Sequence, residues 1–425
     1  MSRRALIRVT LAWALTHVPL FLLVLLVVSR AQDVRFYAGW AQILSGGAFP
    51  YHDPQWQYPP GAGALLWLPT LFGDDYDAAF HWLAFTADAA IMAMLLWAAH
   101  RRRAGTAGPW LWVVAMPLLG SVAVYSRYDV LVAVFAVAAV LVMAARPALG
   151  GVLAGLGAVI KVWPGLILFG APPRRRGGLA ALGAAVATVA VVLTAFGLTM
   201  AHALSFVTSQ AERGVEIESI FAMPFLIGRH LGWPGRVEFR YGSVEYVGPY
   251  VWLAADAALV VTVLAFGWLL VWRARSRRWT PATVADASLT ATLLFIVVSR
   301  VISPQYLVWV LALGAVTLCG RGSSQRPVVV LLLVVTGLTQ LEFPIVFEGI
   351  KAGQPLPSAV LLVRDILLVV MTVYSMRRLW RASVSTPEPE SPAPPDVPSD
   401  PADGAGATAL SPARARSRWA PGPTP

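Results

Sequence analysis

Runs of about twenty apolar residues recur along this chain, separated by short arginine clusters, and that alternation confines it to a helical bundle in a membrane. A first run over Val9–Val28 is followed by others near 78–99, 109–125, 129–145, 178–200, 249–272, 282–300, 304–320, 326–342 and 358–376. Only 13% of the 425 residues are charged and 57% are hydrophobic, about half the charged share of a soluble domain. A soluble enzyme, a disordered chain and a disulfide scaffold are excluded. The single cysteine, Cys319, forms no intrachain disulfide and no cysteine metal site. The net charge of +11 suggests nucleic acid only until the charges are placed. Most fall in short loops, where membrane topology accounts for them, and no nucleic-acid partner is expected.

The basic clusters are Arg101–Arg103, Arg146, Arg174–Arg176, Arg273–Arg278, Arg321 with Arg326, and Arg377–Arg381. The positive-inside rule assigns all of them to the cytoplasm. Arg3, Arg4 and Arg8 precede the first run, which is too long for a signal-peptide core and lacks a cleavage site. It reads as an uncleaved span with residue 30 onward outside. Residues 147–173 lie between two cytoplasmic clusters, yet are too short for two full spans at about 1.5 Å per residue. They break at Lys161-Val162-Trp163-Pro164, so two short helices are expected, with Lys161 near the outer tip. Broken backbone at membrane depth needs protein or a cavity around it, and Gly150, Gly151, Gly155 and Gly157 allow close packing. The expected fold is an all-α polytopic membrane protein of about twelve helices over residues 1–381. Residues 382–425, rich in Pro and Ala, are expected to be a disordered cytoplasmic tail.

Outside the membrane, Phe36, Trp40, Ile43 and Leu44 recur at helical spacing, which predicts an amphipathic helix over 35–45 lying on the membrane surface. Tyr58-Pro59-Pro60 breaks the chain, and 61–72 is apolar but too short to span, hence interfacial or re-entrant. Further outer segments cover 201–248, 300–305 and 342–357.

Several residues carry chemistry at these positions. Asp33 follows the first span and is either a general base for a hydroxyl or an interfacial charge paired with Arg30 or Arg35. Lys161, one of two lysines, either holds a phosphate or snorkels to the interface. Arg127 and Arg300 are outer arginines against the usual charge bias; phosphate or carboxylate recognition explains them, as does an ion pair such as Arg127 with Asp129. Glu212, Arg213, Glu216 and Glu218 form either a site for sugar hydroxyls or metal, or a solvated loop face. Asp74, Asp75 and Asp77 read more readily as a helix cap than as a metal motif. Asp88 and Asp256 lie inside apolar spans, where they pair within the bundle or line a water path. The six histidines are scattered, and neither a Walker lysine loop nor a Gly-x-Ser-x-Gly elbow is present.

Asp33, Phe36-Tyr37, Gly47-Ala48-Phe49-Pro50-Tyr51, Tyr58-Pro59-Pro60, Ser126-Arg127-Tyr128-Asp129, Lys161-Val162-Trp163-Pro164 and Ser303-Pro304-Gln305-Tyr306 occur in an order that resembles glycosyltransferase family 87. The resemblance covers roughly residues 1–380. It implies a GT-C-like bundle that transfers a sugar, mannose foremost, from a polyprenyl-phosphate carrier to a glycolipid or cell-envelope glycan, with inversion, at the outer face of the plasma membrane. By similarity, Asp33 is the base. Lys161, Arg127 or Arg300 holds the carrier phosphate. Tyr37, Tyr58 and Trp56 stack on sugar or isoprenoid, and Gln305 and Glu216 belong to the substrate site. No cofactor beyond the donor itself is implied and no metal ligand is assigned, while the carboxylates at 74–77 and 212–218 leave a divalent metal open. The partners are the lipid-linked donor, the acceptor and membrane lipids. Mannosyltransferases of the family often carry histidine after Ser-Pro; Ser303-Pro304-Gln305-Tyr306-Leu307-Val308-Trp309 has none. That departure weakens the case for mannose and keeps Glu216, Glu218 and Asp129 as alternative bases.

Two rival classes remain: a transporter or flippase of a lipid-linked sugar, which broken helices and buried charges also suit, and a non-catalytic partner in an envelope-synthesis complex. Against the transporter, the halves of the chain show no similarity to each other.

Overall fold

Without water to satisfy backbone groups, each apolar run closes its own hydrogen bonds as a helix, and prolines and glycines set where it stops. The computed structural model describes residues 2–27, 32–101, 105–172, 176–209 and 214–385. The tail 386–425 lies outside the described residues, as do Arg30, Arg102, Arg103, Arg174, Arg175, Glu212 and Arg213.

In chain order the helices are α1 (Arg3–Leu26), α2 (Gln32–Ser45), α3 (Pro60–Trp67), α4 (Tyr76–Arg101), α5 (Ala107–Leu119) and α6 (Ser121–Tyr125). There follow α7 (Asp129–Met143), α8 (Pro147–Ile160), α9 (Arg176–Thr199), α10 (Phe206–Ser209), α11 (Met223–His230) and α12 (Val251–Arg275). The last are α13 (Pro281–Val297), α14 (Tyr306–Leu318), α15 (Arg326–Gln340), α16 (Phe347–Lys351) and α17 (Pro355–Ser383). Among the described residues, 6 helices are long and apolar enough to cross a membrane: α1, α4, α9, α12, α15 with its continuation to Ile345, and α17. Shorter apolar helices fill the bundle: Pro60–Phe72, α5, α7, α8, α13 and α14. The chain is an all-α polytopic membrane protein. A small antiparallel sheet, β1 (Val215–Glu216), β2 (Arg236–Arg240) and β3 (Ser243–Val247), in the order β1-β3-β2, is inserted between α9 and α12.

The expected hairpin forms as α8 and a 3-10 helix, Trp163–Gly170. Helix α8 cannot run on through Pro164, which has no N–H, and Lys161 is extended at the break (φ −153°, ψ 127°). A Cβ on Gly157 would press on the Pro164 ring at 2.7 Å, and one on Gly155 would lie 2.9 Å from the Ala185 carbonyl oxygen. The glycine face of α8 is therefore what lets the hairpin fold back on itself and approach α9.

Helix α2 forms where its spacing places it, but its apolar face is covered by protein. Tyr37, Trp40 and Leu44 are 2%, 4% and 6% exposed, and only Ile43 remains open at 45%. The re-entrant piece after it enters the protein as well: Pro60, Gly61, Ala62, Gly63 and Leu66 of α3 are buried. The Asp75 carboxylate caps α4 through the Ala78 N–H at 3.0 Å. Asp88 pairs within the bundle, where it accepts from Trp112 Nε1 and the Tyr125 hydroxyl, both at 2.6 Å, and contacts His17 Nδ1 at 2.6 Å. Asp256 sits on the exposed side of α12. Glu216 and Glu218 are 5% and 4% exposed, so that part of the acidic run is not a solvated face. Strand β1 carries it inward, and Arg364 of α17 meets the Glu218 carboxylate at 3.8 Å and the Glu342 carboxylate at 3.2 Å.

Helix α3 packs against the end of α8. A Cβ on Gly61 would sit 2.5 Å from the Val159 carbonyl oxygen, a backbone atom that cannot step aside. Gly61→Ala is expected to cost about 1–3 kcal/mol, read as a lower thermal midpoint in detergent, whereas Gly183→Ala, which meets open space, should leave the midpoint unchanged.

Candidate active site

Five broken or terminal backbone segments converge on one cavity of about 590 Å³. The start of α2 supplies Asp33, Phe36 and Tyr37, and the segment before α3 supplies Gln55, Gln57 and Tyr58. Arg127 comes from the turn between α6 and α7, Lys161 from the hairpin break, and Arg300, Ser303, Gln305 and Tyr306 from the link between α13 and α14. Helix interiors keep their polar backbone paired; breaks such as these, with the turn at Tyr241–Ser243, present polar side chains and irregular backbone to a common space.

The charges in this cavity are arranged as pairs. Arg127 Nη2 lies 2.7 Å from Asp33 Oδ2. Lys161 Nζ lies 2.7 Å from Asp129 Oδ1, and that same oxygen accepts from Trp309 Nε1 at 2.6 Å. Asp33 meets Arg127 instead of Arg35, and Asp129 meets Lys161 instead of Arg127, so partners are exchanged between distant segments; Arg30 lies outside the described residues. Low dielectric demands a partner for each charge, and these are the partners within reach. The Lys161 ammonium also sits against aromatic faces: Tyr128 at 4.7 Å, Trp309 at 5.1 Å, Tyr306 at 5.3 Å and Tyr58 at 6.0 Å to the ring centres. Tyr306 and Trp309 stack at 4.0 Å, and Trp163 stacks on Trp309 at 5.1 Å. The cage thus spans α7, the hairpin and α14.

Burial raises the Asp33 carboxyl above its ordinary value of 3.8, and the Arg127 guanidinium opposes that rise. A carboxylate displaced upward is a better proton acceptor than a solvated one.

The structure brings Asp33, Tyr37, Tyr58, Arg127, Lys161, Arg300 and Gln305 to the cavity lining. It does not bring Glu216 or Trp56 there. Glu216 pairs with Glu245 across the sheet, and its backbone N–H donates to the Arg300 carbonyl at 3.0 Å, behind the cavity wall. Trp56 is 1% exposed and packs on Trp40, Phe49 and Tyr58. Gln55, Gln57, Tyr241 and Ser243 line the cavity without having been singled out in the sequence. For the last two a signal exists: Val237 and Phe239 alternate before Tyr241-Gly242, and Val244 and Tyr246 alternate after it, as in a two-residue hairpin. Among the described residues no group of three or more His, Cys, Asp or Glu side chains is placed to hold a metal ion.

Lys161 and Asp129 are 14% and 1% exposed at the side chain. Lys161→Met strands the Asp129 carboxylate and is expected to cost about 3–5 kcal/mol. The double variant Lys161→Met with Asp129→Asn should recover most of that loss, as read by thermal unfolding in nanodiscs. A double variant destabilised by the sum of the losses of Lys161→Met and Asp129→Asn alone would show that the pair does not couple.

A family model described as glycosyltransferase family 87 matches residues 56–304, which include Tyr58, Arg127, Lys161 and Arg300 and begin after Asp33. No curated protein and no solved structure matches the chain. With a match over more than half its length, and with the matched residues converging on one polar cavity in an apolar bundle, the chain belongs to glycosyltransferase family 87.

Proposed function

We propose that this membrane glycosyltransferase moves a sugar, mannose foremost, from a polyprenyl-phosphate carrier to a glycolipid or cell-envelope glycan, with inversion, at the outer face of the plasma membrane. The observation that carries this reading is the composition of the cavity. Asp33, Arg127, Lys161 and Arg300 share it with an apolar wall made by Ala258 and Leu259 of α12 and by Phe295 and Val298. Leu259 is 63% exposed, so this wall continues onto the outer apolar surface of α12. A ligand that is apolar at one end and anionic at the other fits such a space, as a lipid-linked sugar phosphate does. The basic ends of the helices support the orientation. Helices α7 and α14 start at the cavity and end near Arg146 and Arg321, and α12 passes it on the way to Arg273 and Arg275. The positive-inside rule then puts the cavity outside.

In this mechanism Asp33 takes the proton of the acceptor hydroxyl as its oxygen bonds to the sugar C1. The bond from C1 to the phosphate oxygen breaks, its electron pair stays on the phosphate, and the carrier leaves with one more negative charge. Protonation of Asp33 ends its ion pair with Arg127. The guanidinium is then available to the leaving phosphate at the moment its charge grows, alongside Arg300. Lys161, neutralised by Asp129 and held in the aromatic cage, fixes the wall beside them.

The test uses protein in nanodiscs, radiolabelled polyprenyl-phosphate mannose, glucose or arabinose, and an envelope-lipid extract as acceptor. Asp33→Asn is expected to lower turnover roughly 10²–10⁴-fold and leave donor affinity within about threefold. Donor binding without transfer by the wild type, together with donor movement across liposomes, would replace this reading with transport.

The pH profile gives a second check. Activity requires the Asp33 carboxylate, so kcat/KM should fall as pH drops through the Asp33 pKa, at a midpoint above the ordinary 3.8. Arg127→Gln removes the opposing cation and should move that acid limb to still higher pH while lowering turnover. A limb that stays in place would separate Asp33 from the reacting proton.

A further inference from the structure

The sheet inserted between α9 and α12 reaches the cavity only at the turn joining β2 to β3, and that turn is built in an unfavourable way. Residues Tyr241 and Gly242 have φ of +49° and +79°, the positive values of a two-residue hairpin turn. Asn, Asp or Gly ordinarily occupies the first of these positions, because a bulky side chain there crowds its own backbone. Tyrosine is a poor residue for the turn as a turn. Such outliers persist where the surroundings hold them, and they gather at functional sites. Here Tyr241, Gly242 and Ser243 all line the cavity.

The turn is fastened to the segment before α3. Gln57 Nε2 donates to the Tyr241 carbonyl at 3.4 Å and to the Pro54 carbonyl at 3.0 Å. The space beside the Gly242 α-carbon is filled by Gln55, whose Cβ would be 3.7 Å from a Cβ placed there. Asp53 fixes this segment, accepting from Trp40 Nε1 at 2.8 Å and from the Gln55 N–H at 2.9 Å. Two amides, one phenol ring and the Ser243 hydroxyl, which is held by the Arg240 carbonyl at 3.4 Å and the Glu245 carboxylate at 3.3 Å, are thereby set in one part of the cavity, on elements other than those that carry its apolar wall.

We infer that Tyr241, Ser243, Gln55 and Gln57 form the acceptor subsite, and that it takes a carbohydrate ring. This rests on the glycosyltransferase reading above and adds which side chains hold the acceptor. The Gln55 amide and the Tyr241 hydroxyl can both donate and accept, which matches sugar hydroxyls, while Gln57, whose N–H groups hold Pro54 and Tyr241, serves as an acceptor; carboxylates only accept and ammonium groups only donate. An aromatic ring offers a flat apolar face to the C–H side of a sugar while its hydroxyl stays polar. The donor lies along α12 and α13, and the acceptor enters under the hairpin.

The turn itself supplies the variant that separates a binding role from a folding role. Asparagine is at home at positive φ, so Tyr241→Asn removes the ring without harming the hairpin. The assay is transfer from whichever labelled polyprenyl-phosphate sugar is active to octyl mannoside, octyl glucoside or octyl galactoside in nanodiscs. Tyr241→Asn is expected to raise acceptor KM about tenfold, the loss of one aromatic contact. Donor KM should stay within about twofold, and the thermal midpoint should be equal or higher. Tyr241→Phe keeps the ring but loses the hydroxyl, and it should raise acceptor KM less than Tyr241→Asn does. An unchanged acceptor KM, or a rise in donor KM instead, would overturn the subsite. So would Asp33-dependent transfer to envelope lipid with none to any of the three glycosides. If the wild type transfers sugar to nothing, the enzyme reading itself fails and the subsite falls with it.

Discussion

One carboxylate oxygen of Asp129 accepts hydrogen bonds from Lys161 and from Trp309, and through it the start of α7, the break after α8 and the first turn of α14 are tied at one point. Lys161 cannot sit in an apolar bundle as an uncompensated charge. Its pairing with Asp129 and its aromatic surroundings make the hairpin break tolerable at all. Once that break is fixed, the rest of the cavity wall follows. Helix α3 closes against the end of α8 through Gly61, and Tyr58, Tyr128 and Tyr306 are held around the ammonium.

The second ion pair has a different character. Arg127 and Asp33 are 22% and 26% exposed at the side chain, so their pair is more open to the cavity than the first, in which Lys161 is 14% and Asp129 1% exposed. A pair that ends when one member takes a proton links acid–base chemistry to charge redistribution at a single contact. That linkage is what the proposed transfer needs: the base gains a proton as the phosphate gains a charge. Lys161 and Asp129 then serve as a fixed background against which Arg127 and Asp33 change partners.

Much of the helical architecture was legible from the chain because long apolar runs in a membrane have one outcome. The hairpin over 147–173 was legible for a stricter reason: the stretch is too short to cross twice and Pro164 stops a helix. Which acid neutralises which cation was not legible. Arg127 and Asp129 are neighbours in sequence, yet each pairs with a residue from a distant segment, because only the packed bundle decides what lies within 3 Å. What covers the apolar face of α2 was not legible for a related reason: the same apolar spacing suits lipid or protein, and here Tyr37, Trp40 and Leu44 meet protein. Glu216 reads as a loop carboxylate until β1 pairs with β3 and turns it behind Arg300. The β2–β3 turn went unnoticed because its first residue is tyrosine, where turn chemistry leads one to look for asparagine or glycine.

The most direct measurement is an experimental structure of the protein in nanodiscs with a polyprenyl phosphonate analogue of the sugar donor bound. The account requires the phosphonate beside Arg300 and Arg127, the lipid along α12 and α13, and the Asp33 carboxylate facing the sugar C1 from the opposite side. It also requires Lys161 to remain on Asp129. A phosphonate seated on Lys161 with that pair broken, or bound away from Asp33 altogether, would contradict it.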